Sequence, residues 1–300
     1  MDLGRREIPR QGNGQKERLL SPARTSRRRF LRVATTGAAA AVGLYTWRIE
    51  PHWLEIVRRP LAVRGLPGRL AGRTLVQISD VHVGTRVADA YVLATFRRIA
   101  ALSPDIVVMT GDFMSHHDGW RDQVASVYPS FPKGRIATVA VLGNHDYGRA
   151  WSHPEVAQAL VDVVQPLGIR VLRNELHDAD GLQIAGLDDL WARHFHPEAA
   201  LRALDPGRPA IVLSHNPDTV DLAVWQDYHG WILSGHTHGG QCKPPFLPPP
   251  LLPVWNRRYT CGEFGLDGDR RLYVSRGVGH LLQVRFNVRP EVTVFDLQPA

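Results

Sequence analysis

From residue 74 onward, apolar segments of strand length alternate with amphipathic segments of helix length. The segments of strand length are 74–80, 105–112, 135–146, 169–175, 182–189, 209–215 and 230–236. Segments of helix length lie at 88–102, around 154–167 and near 217–227, and two short β-rich segments, "RLYVSRG" and "EVTVFDL", close the chain. Continuous runs of Val, Ile and Leu are typical of strands buried on both faces. The pattern therefore predicts an α/β fold whose sheets are covered by helices.

Polar side chains stand where five of these strand-like segments end. In chain order the ends carry Asp80 and His82, then Asp112, then Asn144, His145 and Asp146, then His215, and finally His236 and His238. A single strand-end Asp is usually a helix cap, Asn and Asp often cap turns, and a single His is usually a satisfied surface residue. Ligand sites in α/β proteins, however, form where the carboxyl ends of several strands meet. Five such groups in this order favour one shared site.

The donor types in this set point to metal ions. Carboxylate, imidazole and amide groups without sulfur suit a pair of divalent ions such as manganese, iron or zinc. Two ions about 3.5–4 Å apart can hold both the attacking and the leaving oxygen of a phosphoryl group. A carboxylate that bridges two ions must serve both ligand sets, and the isolated Asp112 is the natural candidate. With two cysteines and no Cys-x-x-Cys pair, a thiolate-bound metal site is disfavoured.

The order D-x-H, G-D, G-N-H-D, H and G-H-x-H resembles the calcineurin-like metallophosphoesterase superfamily over residues 74–238 and on towards the C-terminus. Within it, "GHTHGGQ", "LDDLW" and "VSRGVGHLLQVRFNVRPEVTVF" resemble a bacterial branch of phosphodiesterase-like proteins, several of which carry export signals or an N-terminal membrane segment. The resemblance implies a two-sheet β-sandwich flanked by helices, which forms a single catalytic domain.

The resemblance also implies roles for the strand-end residues. One ion is held by Asp80, His82 and His238, the other by Asn144, His215 and His236, and Asp112 bridges them. By the same analogy, His145 protonates the leaving group or stabilises the transition state, and Asp146 orients its imidazole ring.

One segment departs from the pattern of the superfamily. Many members follow G-D with a second Asp and, a few residues later, an Arg, whereas this chain has "GDFMSHHDGW". In the protein-phosphatase branch that arginine often holds phosphate, so protein phosphatase activity is disfavoured. His116 and His117 are either substitutes that contact the substrate or ordinary polar loop residues.

The basic residues in excess lie in the N-terminal segment. Residues 1–32 contain ten Lys and Arg and three Asp and Glu, which leaves 26 basic and 26 acidic residues in the rest of the chain. The neutral body gives no support for a nucleic-acid partner. In "TSRRRFLRVATTGAAAAVGLY", Arg27 and Arg28 precede Phe30, Leu31 and a mildly apolar stretch, an order that resembles a twin-arginine export signal. The alternative is a disordered basic tail followed by a helix.

These features divide the chain into three parts. We predict a basic segment with a twin-arginine signal at 1–45, either cleaved or kept as an anchor, a linker at 46–73 and a metallophosphoesterase domain at 74–300. Export by the twin-arginine machinery would place the enzyme in the periplasm or on the outer face of the cytoplasmic membrane.

The predicted function is hydrolysis of phosphate esters by a dinuclear metal centre at the cell envelope, with phosphodiesters, including lipid-associated ones, as the favoured substrates. One alternative is a pyrophosphatase of the UDP-2,3-diacylglucosamine type in lipid A synthesis, whose substrate lies on the cytoplasmic side. An alternative of another class is an inactive metal-binding scaffold.

A proline-rich apolar stretch, "KPPFLPPPLLPVW" at 243–255, begins five residues after His238. Prolines stiffen the chain and remove backbone donors, so a loop is predicted. This loop either packs against the body to complete the core or forms an apolar rim that contacts a membrane surface or an acyl chain.

Overall fold

The computed structural model describes Met1 and residues 26–225 and 228–300. The chain divides into two compact units, Met1–Val42 and Gly43–Ala300. The first helix, α1 (Arg27–Leu44), contains no buried residue. Within the described ranges, no helix has both the length and the apolar character needed to cross a membrane.

The body is built from twelve described strands. In chain order they are β1 (Glu55–Val63), β2 (Thr74–Ile78), β3 (Ile106–Thr110), β4 (Ala137–Val141), β5 (Arg170–Val171), β6 (Glu175–Ala179), β7 (Leu182–Leu187), β8 (Ala210–Ser214), β9 (Trp231–Ser234), β10 (Gly262–Gly265), β11 (Arg271–Val274) and β12 (Glu291–Pro299). They form two mixed six-stranded sheets, one in the order β1-β12-β2-β3-β4-β5 and the other in the order β10-β11-β9-β8-β7-β6. The predicted two-sheet α/β fold is confirmed.

Three apolar layers hold the sheets together. The layer between the sheets includes Leu75 and Val108 from the first sheet and Leu213 and Leu233 from the second. The helices α2 (Asp89–Ala100), α3 (Trp120–Val127) and α4 (Pro154–Val164) contribute to the layer on the outer face of the first sheet. The short α5 (Glu198–Arg202) contributes Ala200 to the layer outside the second. Each central strand is therefore covered on both faces, as its continuous apolar run predicts.

The prediction of a linker at 46–73 is wrong. Strand β1 pairs in parallel with β12 along its whole length, from Glu55 opposite Glu291 to Val63 opposite Pro299. Leu61 and Val63 belong to the layer between the sheets. This strand is difficult to predict from the sequence because Pro60 lies within it. It can form because β1 is an edge strand, where a missing backbone donor is tolerated.

Two further segments differ from the prediction. In place of a helix near 217–227, the structure has a 3-10 helix at Pro217–Asp221, started by the Asn216 side chain, which accepts a hydrogen bond from the Asp218 N–H. Residues 226–227 lie outside the described ranges. The segment 169–175 is also not one strand, because β5 spans two residues and β6 begins at Glu175.

Candidate metal centre

Two clusters of His and Asp side chains lie at the carboxyl ends of the strands. Asp80, His82 and His238 form one triad, and Asp112, His215 and His236 form the other, each with ligand atoms that all lie within 4.8 Å of one another. All six side chains are buried, with at most 4% of any residue exposed. The first sheet supplies the loops after β2 and β3, and the second sheet supplies those after β8 and β9.

Asp112 belongs to the second triad and also contacts the first. Its Oδ2 atom is 3.4 Å from His82 Nε2 in the first triad and 3.3 Å from His215 Nε2 in the second. Its Oδ1 atom accepts a hydrogen bond of 3.0 Å from the backbone N–H of His145. One carboxylate thus contacts both ligand sets and also holds the loop that follows β4.

Most of these residues have left-handed backbone conformations. The φ angles are 53° at Asp80, 51° at His82, 55° at Asp112, 71° at His236 and 48° at His238. Non-glycine residues with positive φ are uncommon, and each costs on the order of 1–3 kcal/mol, so such residues persist only where the surroundings enforce them. Here the conformation turns five side chains inward at the strand ends.

Glycine makes the close approach of these loops possible. A Cβ atom added at Gly143 would lie 2.3 Å from Asp112 Oδ1, and one at Gly235 would lie 1.9 Å from Ser79 Oγ. Both distances are far below van der Waals contact. The glycines of "GNHD" and "SGHTH" are therefore required by packing against neighbouring loops.

Hydrogen bonds on the far side of the rings fix the orientation of two imidazoles. His215 donates from Nδ1 to the Thr110 carbonyl at 2.7 Å, which leaves its Nε2 facing Asp112. His82 Nδ1 lies 3.1 Å from Ser115 Oγ, which leaves its Nε2 facing His238. Such outer partners are typical of metal-binding histidines because they fix the tautomer and the ring plane.

A buried arginine supports the loop behind Asp80. Arg285 is fully buried and donates to the backbone carbonyls of Arg276, Gly279 and Val288. The loop that it holds together donates a hydrogen bond from Gly279 N–H to the Asp80 carbonyl at 2.7 Å. The C-terminal segment thereby fixes the position of one predicted ligand.

Burial and neighbouring charges shift the pKa values of the cluster. Burial lowers the pKa of His82 to about 3, and burial also holds the pKa values of His236 and His238 well below the ordinary range. Burial acts to raise the pKa of Asp112, but His215, His145 and His82 outweigh it and hold that pKa well below its usual range. Neutral imidazoles beside an ionised carboxylate are the protonation states that bind metal ions.

Burial raises the pKa of Asp80 to about 7, and it raises the pKa of Asp146 well above the ordinary value, in both cases with a contribution from Asp112. For His215, burial alone would lower the pKa, but Asp112 and Asp80 raise it well above its usual value. Because several carboxylates share one buried cluster, their ionised forms require positive charge nearby to be stable.

The donor atoms fit a pair of divalent ions. Nε2 of His82 lies 3.0 Å from Nε2 of His238, and Nδ1 of His236 lies 3.1 Å from Nε2 of His215. Two nitrogens that each lie about 2.1 Å from an ion at a right angle are about 3 Å apart. Among the described residues, the buried side-chain oxygen and nitrogen of Asn144 have no hydrogen-bond partner, as expected of a residue whose partner is an ion.

The "GNHD" turn places its three polar side chains differently. Asn144 is buried, His145 is half-buried, and the His145 ring centroid lies 5.0 Å from that of His82. Asp146 accepts hydrogen bonds from the backbone N–H groups of Gly143 and Met114. The hydrogen bonds of the described residues do not join Asp146 to the His145 ring, so the structure shows Asp146 fastening the turn to the loop after β3 instead of orienting the imidazole.

The residues that replace the expected Asp and Arg lie on the loop after β3. His116 is exposed, and His117 is held by Gln123 Oε1 at 2.8 Å and by the Asp118 carbonyl. Both ring nitrogens of His117 are therefore used in hydrogen bonds that hold this loop in its conformation.

Two further residues near the centre, Asp189 and Trp191, are not among those predicted from the sequence. Asp189 is buried at the carboxyl end of β7, one of its oxygens has no partner among the described residues, and burial raises its pKa to about 7. The Trp191 ring stands edge-to-face against His236, with centroids 4.4 Å apart. Both residues follow β7 in "LDDLW", and this position directly after a strand is the signal in the sequence that could have identified them.

This fold and centre define a metal-dependent phosphoesterase. Residues 73–240 match the calcineurin-like phosphoesterase family. The chain belongs to this family, and its metal-binding groups are intact.

Three curated bacterial relatives cover nearly the whole chain. The chain is 31% identical to phosphodiesterase YaeI of Escherichia coli strain K12, over 91% of this chain and 99% of the relative. It is 32% identical to the uncharacterized metallophosphoesterase YkuE of Bacillus subtilis strain 168, over 91% and 98%. It is 30% identical to the UDP-2,3-diacylglucosamine pyrophosphatase LpxG of Chlamydia trachomatis serovar D, over 86% and 94%.

A substitution at Asp112 is expected to empty both metal sites together. Asp112→Asn weakens a ligand that both triads share, whereas His238→Ala removes a ligand from the first triad alone. Elemental analysis of protein purified with excess metal should give a loss of both ions for Asp112→Asn and of one ion for His238→Ala. The exposed Asp118→Asn serves as control, and full loading of two ions in Asp112→Asn would contradict the bridging assignment.

Proposed function

We propose that this protein hydrolyses phosphodiesters at the cell envelope with a dinuclear metal centre. The observation that carries the proposal is the pair of buried His/Asp triads that meet at Asp112. Every predicted ligand is present and buried, which weighs against an inactive scaffold. The relative named as a phosphodiesterase supports the reaction class.

The side chains of the two triads, with Asn144, would hold the ions. When bound, two divalent ions activate a water molecule for attack and stabilise charge on the phosphoryl oxygens. The half-buried His145 lies beside this cluster, and its backbone N–H is held by Asp112, which supports the proposal that its imidazole donates a proton to the leaving alkoxide.

A diester fits this site better than a monoester for reasons of charge. A monoester carries close to two negative charges at neutral pH, whereas a diester carries one. In the loop after β3, where many members of the superfamily have an arginine, this chain has the exposed His116 and the internally bonded His117. That loop thus lacks the cation of the superfamily motif, which favours the substrate with less charge.

Loss of the proposed proton donor should impair catalysis without emptying the metal sites. We expect His145→Ala to lower kcat by roughly 10²- to 10⁴-fold, the usual contribution of a general acid, for dialkyl phosphodiesters with an alkoxide leaving group, and by much less for p-nitrophenyl diesters, whose leaving group departs without a proton. The exposed His116→Ala is the matched control and should stay near wild type. The measurement is steady-state kinetics of metal-loaded protein with metal content determined in parallel. Hydrolysis of monoesters alone by the wild-type enzyme would contradict the diester proposal.

The second candidate is a pyrophosphatase acting on a nucleotide-linked acylated sugar. The relative named as a UDP-2,3-diacylglucosamine pyrophosphatase favours it. The same centre suits the hydrolysis of a pyrophosphate, because there too the attacked phosphorus carries an oxygen leaving group that the ions can stabilise. Phosphorus NMR of a substrate panel that includes this compound and simple phosphodiesters separates the two candidates.

We also propose that the loop at 243–255 contacts lipid. Its large apolar side chains point into solvent, with 105% of Phe246, 77% of Leu251, 69% of Trp255 and 59% of Leu247 exposed. Leu252 alone among the leucines of this loop is buried. A Cβ atom added at Gly240 would lie 2.4 Å from Pro249 Cβ, so the loop folds back onto the segment that follows His238. Exposed apolar side chains beside a catalytic centre support an interfacial role.

Substitution of the exposed side chains should separate lipid contact from chemistry. For the triple variant Phe246→Ser, Leu247→Ser and Leu251→Ser, we expect near-normal hydrolysis of a small soluble diester. Sedimentation with vesicles of phosphatidylethanolamine and phosphatidylglycerol should fall severalfold, because the apolar area that enters the interface is lost. As a control, Leu252→Ser should lower the melting temperature. Equal vesicle binding by wild type and the triple variant would contradict the proposal.

The proposed location rests on the order Ser26-Arg27-Arg28-Arg29-Phe30-Leu31. The helix that begins at Arg27 contains no buried residue. A twin-arginine signal with this arrangement is read by an export machinery that carries folded proteins. The enzyme would then act on the outer side of the cytoplasmic membrane.

Export should depend on Arg27 and Arg28, the first two of the three consecutive arginines at the start of the helix. Arg27→Lys together with Arg28→Lys should retain the protein in the cytoplasmic fraction, with its metal content unchanged. Arg29→Lys, which changes the position after the pair, is the control and should be exported normally. Fractionation of cells followed by immunoblotting makes the measurement. Normal export of the double variant would remove the support for this location.

A further inference from the structure

Aromatic rings form a continuous wall from His145 to the ligand His236. The ring centroid of His145 lies 6.0 Å from that of Trp151, Trp151 lies 5.1 Å from Trp191, and Trp191 lies 4.4 Å from His236. The wall therefore connects the proposed proton donor of one loop with a predicted metal ligand of another. Both tryptophans are half-buried and keep part of their surface accessible.

Core packing does not account for the position of Trp191. It belongs to none of the three apolar clusters formed by the described residues, and its indole N–H has no hydrogen-bond partner among them. A tryptophan placed only for stability is normally packed among apolar side chains with its N–H satisfied. Its described ring neighbours are instead Trp151 and His236.

Trp151 is held in place by a strained turn. Ala150 and Trp151 have φ angles of 54° and 59°, two consecutive left-handed residues that are not glycine. The turn is fastened by hydrogen bonds from Trp151 N–H to the Gly148 carbonyl and from His153 N–H to the Tyr147 carbonyl. Strain of this kind is usually retained where a side chain must occupy a particular place in a functional site.

We propose that Trp151 and Trp191 form a subsite for a ring-bearing ester group of the substrate, a nucleobase or a sugar ring. This inference rests on the proposed function, because it concerns the group attached to the phosphorus that the metal centre attacks. The flat face of a ring gains dispersion and quadrupole contacts against an indole, which a methyl or short alkyl group cannot match. A ring bound on this wall places its phosphoryl group between His145 and His236.

The test compares chromogenic diesters that share a leaving group. The p-nitrophenyl esters of thymidine monophosphate, of glucose phosphate and of methyl phosphate differ only in the retained group. For Trp191→Ala, we expect kcat/KM to fall by about 5- to 100-fold for at least one ring-bearing ester, the range that stacking of one base supports. For the methyl ester we expect a change within about twofold. The two ring-bearing esters distinguish a nucleobase from a sugar.

Control variants separate recognition from structure. Trp191→Phe keeps a flat ring and should restore most of the selectivity, and Trp151→Ala should show the same selective loss. Trp53→Ala, an exposed tryptophan before β1, should behave as wild type. Metal content and melting temperature are measured for each variant. Equal losses on all three esters, or no loss on any, would overturn the proposal.

A binding measurement keeps this test independent of the proposed reaction. Calorimetry compares the affinity of wild type and Trp191→Ala for thymidine monophosphate, glucose phosphate and methyl phosphate. We expect the variant to lose affinity for a ring-bearing phosphate and to keep its affinity for methyl phosphate. If wild type hydrolyses none of the esters, the proposed function is contradicted. The subsite is then tested by binding alone: a selective loss of affinity for a ring-bearing phosphate supports it, and equal affinities of wild type and variant contradict it.

Discussion

The arrangement of the centre depends on the contacts of a single buried carboxylate. Asp112 follows β3, its backbone carbonyl accepts a hydrogen bond from His82 N–H, and its side chain contacts His145 N–H and His215 Nε2. These partners come from the loops after β2, β4 and β8, so one residue joins loops from both sheets. A buried anion that loses its partners is strongly destabilising, because it retains the cost of desolvation. The loops must therefore keep their positions together or lose them together.

The centre is costly, and the rest of the fold supplies the stability that offsets this cost. Five predicted ligands have left-handed backbones, and several carboxylates and imidazoles are removed from water. The layer between the sheets, with Leu75, Val108 and Leu213, fixes the distance between the two groups of loops. The buried Arg285 fixes the position of the loop behind Asp80 by donating hydrogen bonds to its backbone carbonyls. A site assembled from two sheets is thus only as rigid as the apolar layer that joins them.

Much of this could be predicted from the sequence, because the central strands are continuous apolar runs and the polar residues that follow them meet at one rim. Strand β1 could not, since Arg58, Arg59 and Pro60 break its pattern and its place is set by pairing with β12. The contacts of Asp146 depend on the distant Met114 N–H, which no local pattern reveals. The neighbourhood of Trp151 and Trp191 likewise arises from a strained turn and from the meeting of two loops.

The pairing of β1 with β12 also governs when the body can finish folding. In the first sheet, β12 lies between β1 and β2, and β1 has no other neighbour among the described strands. Until the ribosome has released residues 291–299, β1 has no partner and the edge of β2 is open. Contacts between segments so far apart in the chain form slowly, because a long loop must close before they stabilise anything. The first sheet is therefore expected to complete its fold only after residues 291–299 have left the ribosome.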